Sequence, residues 1–463
     1  MSDAGIAFAP LTVLGAKLRS GEISSVELTR FFLDRLEKFG SKYNCVATVT
    51  RDRALKEAEA ADKELKAGRD RGPLHGVPYG AKDLLAARGY PTSWGCAPYK
   101  DRVIDRDATV VKKLREAGAV LTAKLSMVEL AGGMGYRQAN AGLNGPGRNP
   151  WKPSRWSGGS SSGSGSAVAA GLVPFAIGTE TSGSISTPSS YCGLTGLRPT
   201  YGRVSRNGAM ALSWTLDKIG PMCHSAHDCG LVLEAIAGFD PEENSTSDRP
   251  FQYPPADSPS GRFQFAVLKD GVKNAQPEVR ENFERAVAEL KKLGDVETVD
   301  LPPLPFGLVL STVLSAEMSS AFEEMLDSGA VFKLTAPEDR IGGFAEQAVL
   351  ATDYLRAQRL RGRLCREFDA WLAPFDAVLS VPTAAAAPAA EGPFEYQYSN
   401  TSMVQPGNVC GTPALILPTG ATRDGLPTAL QLDGRAYSES RLLAVALAFQ
   451  NATAWHRAHP EAK

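Results

Sequence analysis

The sequence predicts an α/β protein. Amphipathic helical patterns alternate with short apolar runs of strand length, and twice the order β-α-β can be read directly. Hydrophobic residues make up 43% of the 463 residues and charged ones 22%, enough to bury a sizeable core and too apolar for a disordered chain.

Along the chain, Ser24-x-x-Glu27 forms a capping-box pattern ahead of Val26, Leu28, Phe32, Leu33 and Leu36 at helical spacing, so a helix is predicted over Ser24–Phe39. The Ala/Glu/Lys-rich stretch Arg51–Lys66 predicts a second helix, ending before Gly68. GPLHGVPYGAKDLL then reads as loop, short strand and helix start, with Lys82 at the transition. Asp107 is placed to cap a helix running to Gly118, and AVLTAKL after it reads as a buried strand. Gly132–Pro153 is too irregular for an element and too long for an ordinary connection, which favours a functional loop. Asp240–Gly261 has the composition of a linker, with a boundary expected near 245–260. Beyond it FQFAVL, a helix over Pro277–Leu293 and VETVDL repeat the β-α-β order. Ser311–Phe368 reads as mainly helical, FDAVLSVP as a strand, AAAAPAAEGPF as a low-complexity loop, and a last helix begins near Ser438.

Several function classes are excluded. Fifty Lys+Arg against 51 Asp+Glu leave a net charge of −1, so no overall field exists to hold nucleic acid or an anionic membrane surface. The longest nearly apolar runs, Ala167–Gly178 and Ala377–Ala390, contain proline and fall short of the roughly 18 residues of a spanning helix. The N-terminus does not read as a signal peptide, and seven cysteines without a regular framework read as reduced thiols, so a cytoplasmic location is expected.

The chemistry concentrates in SGGSSSGSGS at 157–166. A flexible linker is disfavoured, because the block runs straight into AVAAGLVPFAIGTETSGSIS, a tightly packed helix and a buried strand. A phosphate loop lacks the Gly-Lys-Ser/Thr ending, and a dinucleotide fingerprint lacks its third glycine at Val168. Gly159-Ser160-Ser161-Ser162-Gly163 matches a nucleophile elbow with Ser161 as nucleophile, but the preceding RNPWKPSRW does not read as a strand. The histidine such an elbow needs has no telling context at His224, His227, His456 or His459. Cys223-His224-x-x-His227-x-Cys229 lacks the spacing of a zinc finger or ribbon, and no metal or cofactor is expected.

HGVPYGAKD at 75–83, KLSMVELAGG at 124–133, Asn149-Pro150-Trp151, GGSSSGSGSAVAAG, GTETSGSISTPSSYCGLTGLRPTYGRVS, NVCGTPALILPTG and DGLPTALQLDG occur in this order. Over most of its length the chain resembles the amidase signature family. The resemblance implies one domain over 1–463 with a large mixed β-sheet between layers of α-helices. Within it, 1–64 would supply N-terminal helices, 65–240 the catalytic core, 241–262 a linker-like loop, and 263–463 the rest of the sheet. It also implies a Ser–cis-Ser–Lys triad, with Lys82 as base, Ser160 as bridging serine and Ser184 as nucleophile. Thr181, Ser182, Gly183 and Ser184 would supply an oxyanion hole, and Ser161 would support the relay. The chemistry is sound, since a buried lysine of depressed pKa can take the nucleophile's proton through an intervening hydroxyl.

Glu180 stands where Asp is frequent in the family, Ser182 where Gly is frequent, and Ser186 where many relatives carry Arg. The 126–143 loop offers Met127, Leu130, Met134, Tyr136 and Leu143 to a cleft, and the later segment offers Met210, Leu212 and Trp214. Met127, Tyr136 and Trp214 are the expected substrate-binding residues. The family then implies a hydrolase of amides, and of related esters and carbamates or urethanes, preferring uncharged hydrophobic or aryl substrates and acting as monomer or homodimer. The alternative is the glutaminase (A-type) subunit of a tRNA-dependent amidotransferase; a catalytically dead binding protein is disfavoured by the complete triad.

Overall fold

Period-two alternation along the strands sends side chains to two separate cores, and this sets the architecture. The computed structural model describes residues 3–254 and 262–461. Its strands are β1 (Val46–Val49), β2 (Pro78–Lys82), β3 (Val120–Leu125), β4 (Arg148–Asn149), β5 (Lys152–Trp156), β6 (Ala176–Glu180), β7 (Thr195–Arg198), β8 (Lys218–Cys223), β9 (Phe263–Leu268), β10 (Gly294–Val299), β11 (Ala377–Ser380), β12 (Ala414–Ala421) and β13 (Pro427–Asp433). Eleven of them form one mixed sheet in the order β1-β3-β2-β6-β8-β7-β12-β13-β11-β9-β10, while β4 and β5 pair as a separate ribbon.

On one face Tyr79, Ala81, Leu415, Leu417, Leu430 and Leu432 join a core with the helices Leu11–Ser20, Ala226–Ile236, Pro277–Leu293 and Glu439–Thr453. On the other, Ala123, Leu125 and Ala176 pack with the helix Ser162–Ala169, and Ala266, Leu268 and Val378 with the helices Phe306–Ala321 and Ala351–Leu372. The helix Ser162–Ala169, serine, glycine and alanine apart from Val168, can lie close on the sheet because its side chains are small.

The N-terminal helix runs over Ser25–Tyr43 with a complete Ser24–Glu27 capping box, and the next over Arg51–Lys66. Asp107 does not cap its helix, Thr109–Glu116, whose N-cap is Ala108. Its carboxylate instead takes the Arg53 guanidinium at 2.7 and 3.0 Å and the Arg88 N–H at 2.9 Å, charge-assisted bonds that outcompete a cap. The linker-like stretch is also corrected over 240–254. Tyr253 is buried, Thr246 bonds back to Asp240, and Ser247 N–H donates to Gly202 O at 3.0 Å, so this part packs on the core. The rest of that stretch, 255–261, lies outside the described residues. Strands from both sides of it pair in one sheet, β7 with β12. Among the described residues no helix is long and apolar enough to cross a membrane.

Arg198 on β7 fastens the middle of the sheet. Fully buried, it reaches Glu180 on β6 at 3.0 Å and Asp433 on β13 at 3.2 Å. Arg198→Met leaves two buried carboxylates without their cation and is expected to cost about 3–5 kcal/mol. Urea unfolding monitored by tryptophan fluorescence measures this, and a cost near zero would contradict a structural role for the pair.

Candidate active site

Lys82 is the last residue of β2, which is flanked by parallel partners β3 and β6, so its side chain leaves the sheet from a fully enclosed position. Its Nζ lies 2.7 Å from Ser160 Oγ and 2.9 Å from Thr179 Oγ1. Burial pushes the ammonium pKa down to about 7, against the opposing pull of the Asp217 and Glu180 carboxylates. Lys124 on the neighbouring strand is equally buried but touches the Asp83 carboxylate at 2.8 Å. One lysine therefore has a counter-ion in contact and the other has hydroxyls.

The Ser/Gly block forms the turn that meets Lys82. Gly158 has φ +89°, and a Cβ there would come within 2.7 Å of Pro188 Cα, so only glycine fits. The Gly159–Ser160 peptide bond is cis. Ser160 is buried, and its carbonyl accepts the Val128 N–H at 3.1 Å. Ser161 Oγ donates to Thr179 O and accepts the Thr179 N–H, each at 3.2 Å, while Ser161 N–H donates to Ser184 O at 3.3 Å. Both hydroxyl functions of Ser161 thus serve the backbone, which leaves it poorly placed as the nucleophile of an elbow.

The second turn, 181–185, follows β6 directly. Glu180 Oε2 accepts the N–H groups of Ile185 (2.9 Å) and Ser186 (2.8 Å) and the Ser186 hydroxyl (2.9 Å). Its Oε1 accepts Arg198 and, at 2.8 Å, the Asn408 amide. Burial alone would raise this carboxyl; Arg198, Asn408, the Ser186 N–H and Lys218 outweigh it and hold the group down at about 2. Gly183 supplies φ +96° at the turn. Among the described residues, the N–H groups of Ser182, Gly183 and Ser184 have no protein acceptor, unlike those of the next three residues. The Thr181 hydroxyl donates to Asp217 Oδ1 at 2.5 Å, which ties the start of the turn to the 212–217 segment.

A cleft of about 490 Å³ opens over these turns, and Thr181, Ser182 and Ser184 form its floor with Gly159. The arrangement can deliver a hydroxyl, a buried amine of lowered pKa and a row of free N–H groups to one carbonyl carbon, which is the equipment of acyl transfer.

The amidase family description matches residues 27–443. The A-type subunit of the glutamyl-tRNA(Gln) amidotransferase of Moorella thermoacetica is 38% identical, with 96% of each chain covered. The native peptide amidase of Stenotrophomonas maltophilia superposes with a TM-score of 0.87 at 32% identity, covering 96% of this chain and 97% of that one. The corresponding A-type amidotransferase chain of Thermotoga maritima gives a TM-score of 0.79 at 27% identity, covering 95% of both.

The chain belongs to the amidase signature family.

It is an amidase-signature hydrolase acting on C–N amide bonds. In this amidase Lys82 and Ser160 are in direct contact, and Ser184 adjoins Ser161 through the backbone. Tyr136 lines the cleft, as does Leu212. Two expected substrate-binding residues do not. Met127 is buried in the core beneath Gly95, because the chain turns inward directly after β3. Trp214 is 46% exposed and is not among the lining residues, its segment held by the Tyr201 hydroxyl and the Arg206 guanidinium on its carbonyl. Leu130, Met134 and Met210 are also core residues. None of His224, His227, His456 and His459 lines the cleft; His224 and His456 are pushed down to about 4, chiefly by burial.

Sequence reasoning missed much of the amidase cleft wall. Trp156 and Tyr191 line it together with Ala384–Ala386, Pro388 and Phe394 of the low-complexity loop and the adjoining Thr383, Tyr396 and Tyr398. Trp156 and Phe394 approach to 4.6 Å between centroids, with Tyr136 at 6.1 and 6.0 Å from them. The signal available was the aromatic run FEYQY after the alanines. Among the described residues no cluster of His, Cys, Asp or Glu is arranged to hold a metal ion; His227 pairs with Tyr253 at 2.8 Å.

A base at Lys82 would have to be neutral to accept a proton, and with that role kcat/KM is expected to fall roughly tenfold per pH unit below about 7. Asp217→Asn removes a negative charge that favours the ammonium, so the acidic limb should move to lower pH. A pH–rate profile of both proteins checks the sign, and a shift to higher pH would contradict it.

Proposed function

We propose that this chain is a self-sufficient amidase for uncharged, hydrophobic or aryl acyl substrates. Ser184 Oγ attacks the amide carbonyl while its proton passes to Ser160 Oγ and the Ser160 proton passes to neutral Lys82 Nζ. The N–H groups of Thr181, Ser182, Gly183 and Ser184 take the negative charge of the tetrahedral intermediate. The relay returns a proton to the departing amine, and water then releases the acyl group by the same route in reverse. Esters and carbamates present the same carbonyl and enter the same scheme. The enzyme acts on these small molecules as a monomer or homodimer, without nucleic acid, membrane or cofactor.

The observation that carries the substrate preference is the lining of the cleft. Tyr136, Trp156, Tyr191, Phe394, Tyr396 and Tyr398 bring six aromatic side chains to it, and among the described lining residues Glu395 is the one with a carboxylate and none is Lys, Arg or His. At the position where many relatives carry arginine, Ser186 is buried and its hydroxyl is spent on Glu180. An amino-acid α-carboxylate finds no cation there, whereas an aryl or aliphatic acyl group finds aromatic faces.

A second reading is favoured by the 38% identity to an A-type amidotransferase chain: glutamine hydrolysis within a complex. Comparing kcat/KM for a benzoyl anilide, an aryl carbamate, a hydrophobic peptide amide and glutamine separates the two, with the anilide or peptide amide expected to exceed glutamine by at least about 100-fold, about 2.7 kcal/mol of differential binding. Higher activity on glutamine, or activity appearing only with added partner proteins and tRNA, would select the second reading.

Ser184→Ala is expected to abolish labelling by a serine-directed fluorophosphonate and, like Lys82→Ala, to reduce turnover by about 10³–10⁶-fold. Labelling that survives in Ser184→Ala and vanishes in Ser161→Ala would transfer the nucleophile to Ser161.

A further inference from the structure

Behind the cleft wall lie two carboxyl groups that the relay does not use, Glu129 and Asp339, both fully buried. Glu129 Oε2 accepts the Thr335 N–H at 2.8 Å and Oε1 the Ala336 N–H at 2.9 Å, while its own N–H donates to Ala141 O at 2.8 Å. Asp339 opens the helix Asp339–Glu346, and both its carboxyl oxygens are enclosed without any donor among the described residues. Its side-chain partner is the Glu129 carboxyl. Two buried carboxylates in contact cannot both be ionised, and a buried carboxyl without a donor can be satisfied by donating its own proton. Glu129 already holds two N–H groups, which suits the anion, so the proton belongs on Asp339. Burial, with Glu129 and Glu338, raises the Asp339 carboxyl to about 9.

The backbone around Glu129 needs such a fastening. Leu130, Ala131 and Gly132 follow one another with φ of 49°, 57° and 85°, and left-handed conformations in non-glycine residues cost about 1–2 kcal/mol each. The same loop carries Val128, whose N–H holds the Ser160 carbonyl, and Ala131, Gly132 and Tyr136, which line the cleft. The groups facing the pair are Glu338, which accepts the Arg137 N–H at 2.7 Å, the Tyr136 phenol and the Cys96 thiol. The adjoining cation, Arg340, is turned to the carbonyls of Leu334 and Thr335.

We propose that Asp339 and Glu129 share one proton, that this O–H···O⁻ contact pins the 128–136 wall against the 335–339 segment and so keeps Ser160 in register, and that its loss in alkali loosens the wall. Asp339 is a positioning residue, and the pair gives the enzyme an alkaline limb distinct from the acidic limb of Lys82. The proton sharing stands on the burial of both carboxyls, the absence of any donor to Asp339 among the described residues and the two N–H groups held by Glu129; only the kinetic readout rests on the amidase reading.

Two measurements test it. Difference infrared spectroscopy of the wild type against Asp339→Asn at about pH 8 should show the carbonyl band of a protonated acid, which disappears as pH passes about 9. Absence of that band overturns the proposal whether or not the protein hydrolyses amides. Kinetically, wild-type kcat/KM on an anilide should fall roughly tenfold between about pH 8 and pH 10. In Asp339→Asn, whose amide donates to Glu129 without titrating, the ratio of the two rates should stay within about twofold of unity; an alkaline fall equal to the wild type overturns the proposal. Should Asp339→Asn not fold, the wild-type spectrum at about pH 8 minus that at about pH 10.5 serves instead: the acid band must be present in the first and lost in the second, and a band that does not change overturns the proposal.

Discussion

The buried carboxylate of Glu180 is the constraint on which the rest of this structure depends. It ends β6, the strand that leads into the serine turn, and five donors converge on it: two backbone N–H groups, the Ser186 hydroxyl, Arg198 and Asn408. An unpaired charge at that depth would cost several kcal/mol, so the turn, the β7 arginine and the Val404–Cys410 helix cannot move independently. Ser186 is buried beside the glutamate and adds its own hydroxyl to it. Arg198 is divided between Glu180 and Asp433, and the division is unequal: the first carboxyl is held at about 2, while burial lifts the second to about 6.

Buried lysines in this protein show how placement sets chemistry. Lys124 meets Asp83 directly, whereas Lys82 meets Ser160 and Thr179, with its carboxylates further off. Lys218, next to Asp217, is pushed well below the ordinary lysine range by burial and by Arg198. Of these three, Lys82 alone combines a pKa near neutrality with contact to a hydroxyl beside the cleft, so the same residue type on neighbouring strands is structural in one place and chemically poised in another.

The serine-rich segment was legible in the sequence because its signals are local. Small residues at 157–166 have one close-packed use, and Lys82 sits at a strand end that Pro78 and the flanking glycines announce. Helices with strong periodicity and a capping box, such as Ser25–Tyr43, were equally plain. The cleft wall was not, because its aromatic residues meet only in the folded chain: Trp156 and Phe394 are brought together by β5 and a loop whose alanine-rich sequence carries no periodicity. That Met127 and Trp214 lie outside the cleft lining is not legible for a related reason, since membership of a loop near the site does not say whether a side chain points inward or outward. Capping is the commonest use of an aspartate before a helix, and at Asp107 a cation from another helix overrides it.

The position of β12 and β13 has a consequence for how the protein is made. Both lie in the middle of the sheet, yet they are its last strands to be synthesised, and the partners that neutralise or satisfy the Glu180 cluster, Asn408 and Asp433, arrive with them. On the ribosome, the sequence through Ser184 emerges long before the strand against which β7 must pair. The nascent chain therefore carries its serines and Lys82 without the framework that gives them their electrostatics, and premature termination before Asp433 yields a product with buried charges left uncompensated. The charge network around the serine turn is thus closed only by residues of the last part of the chain to be made.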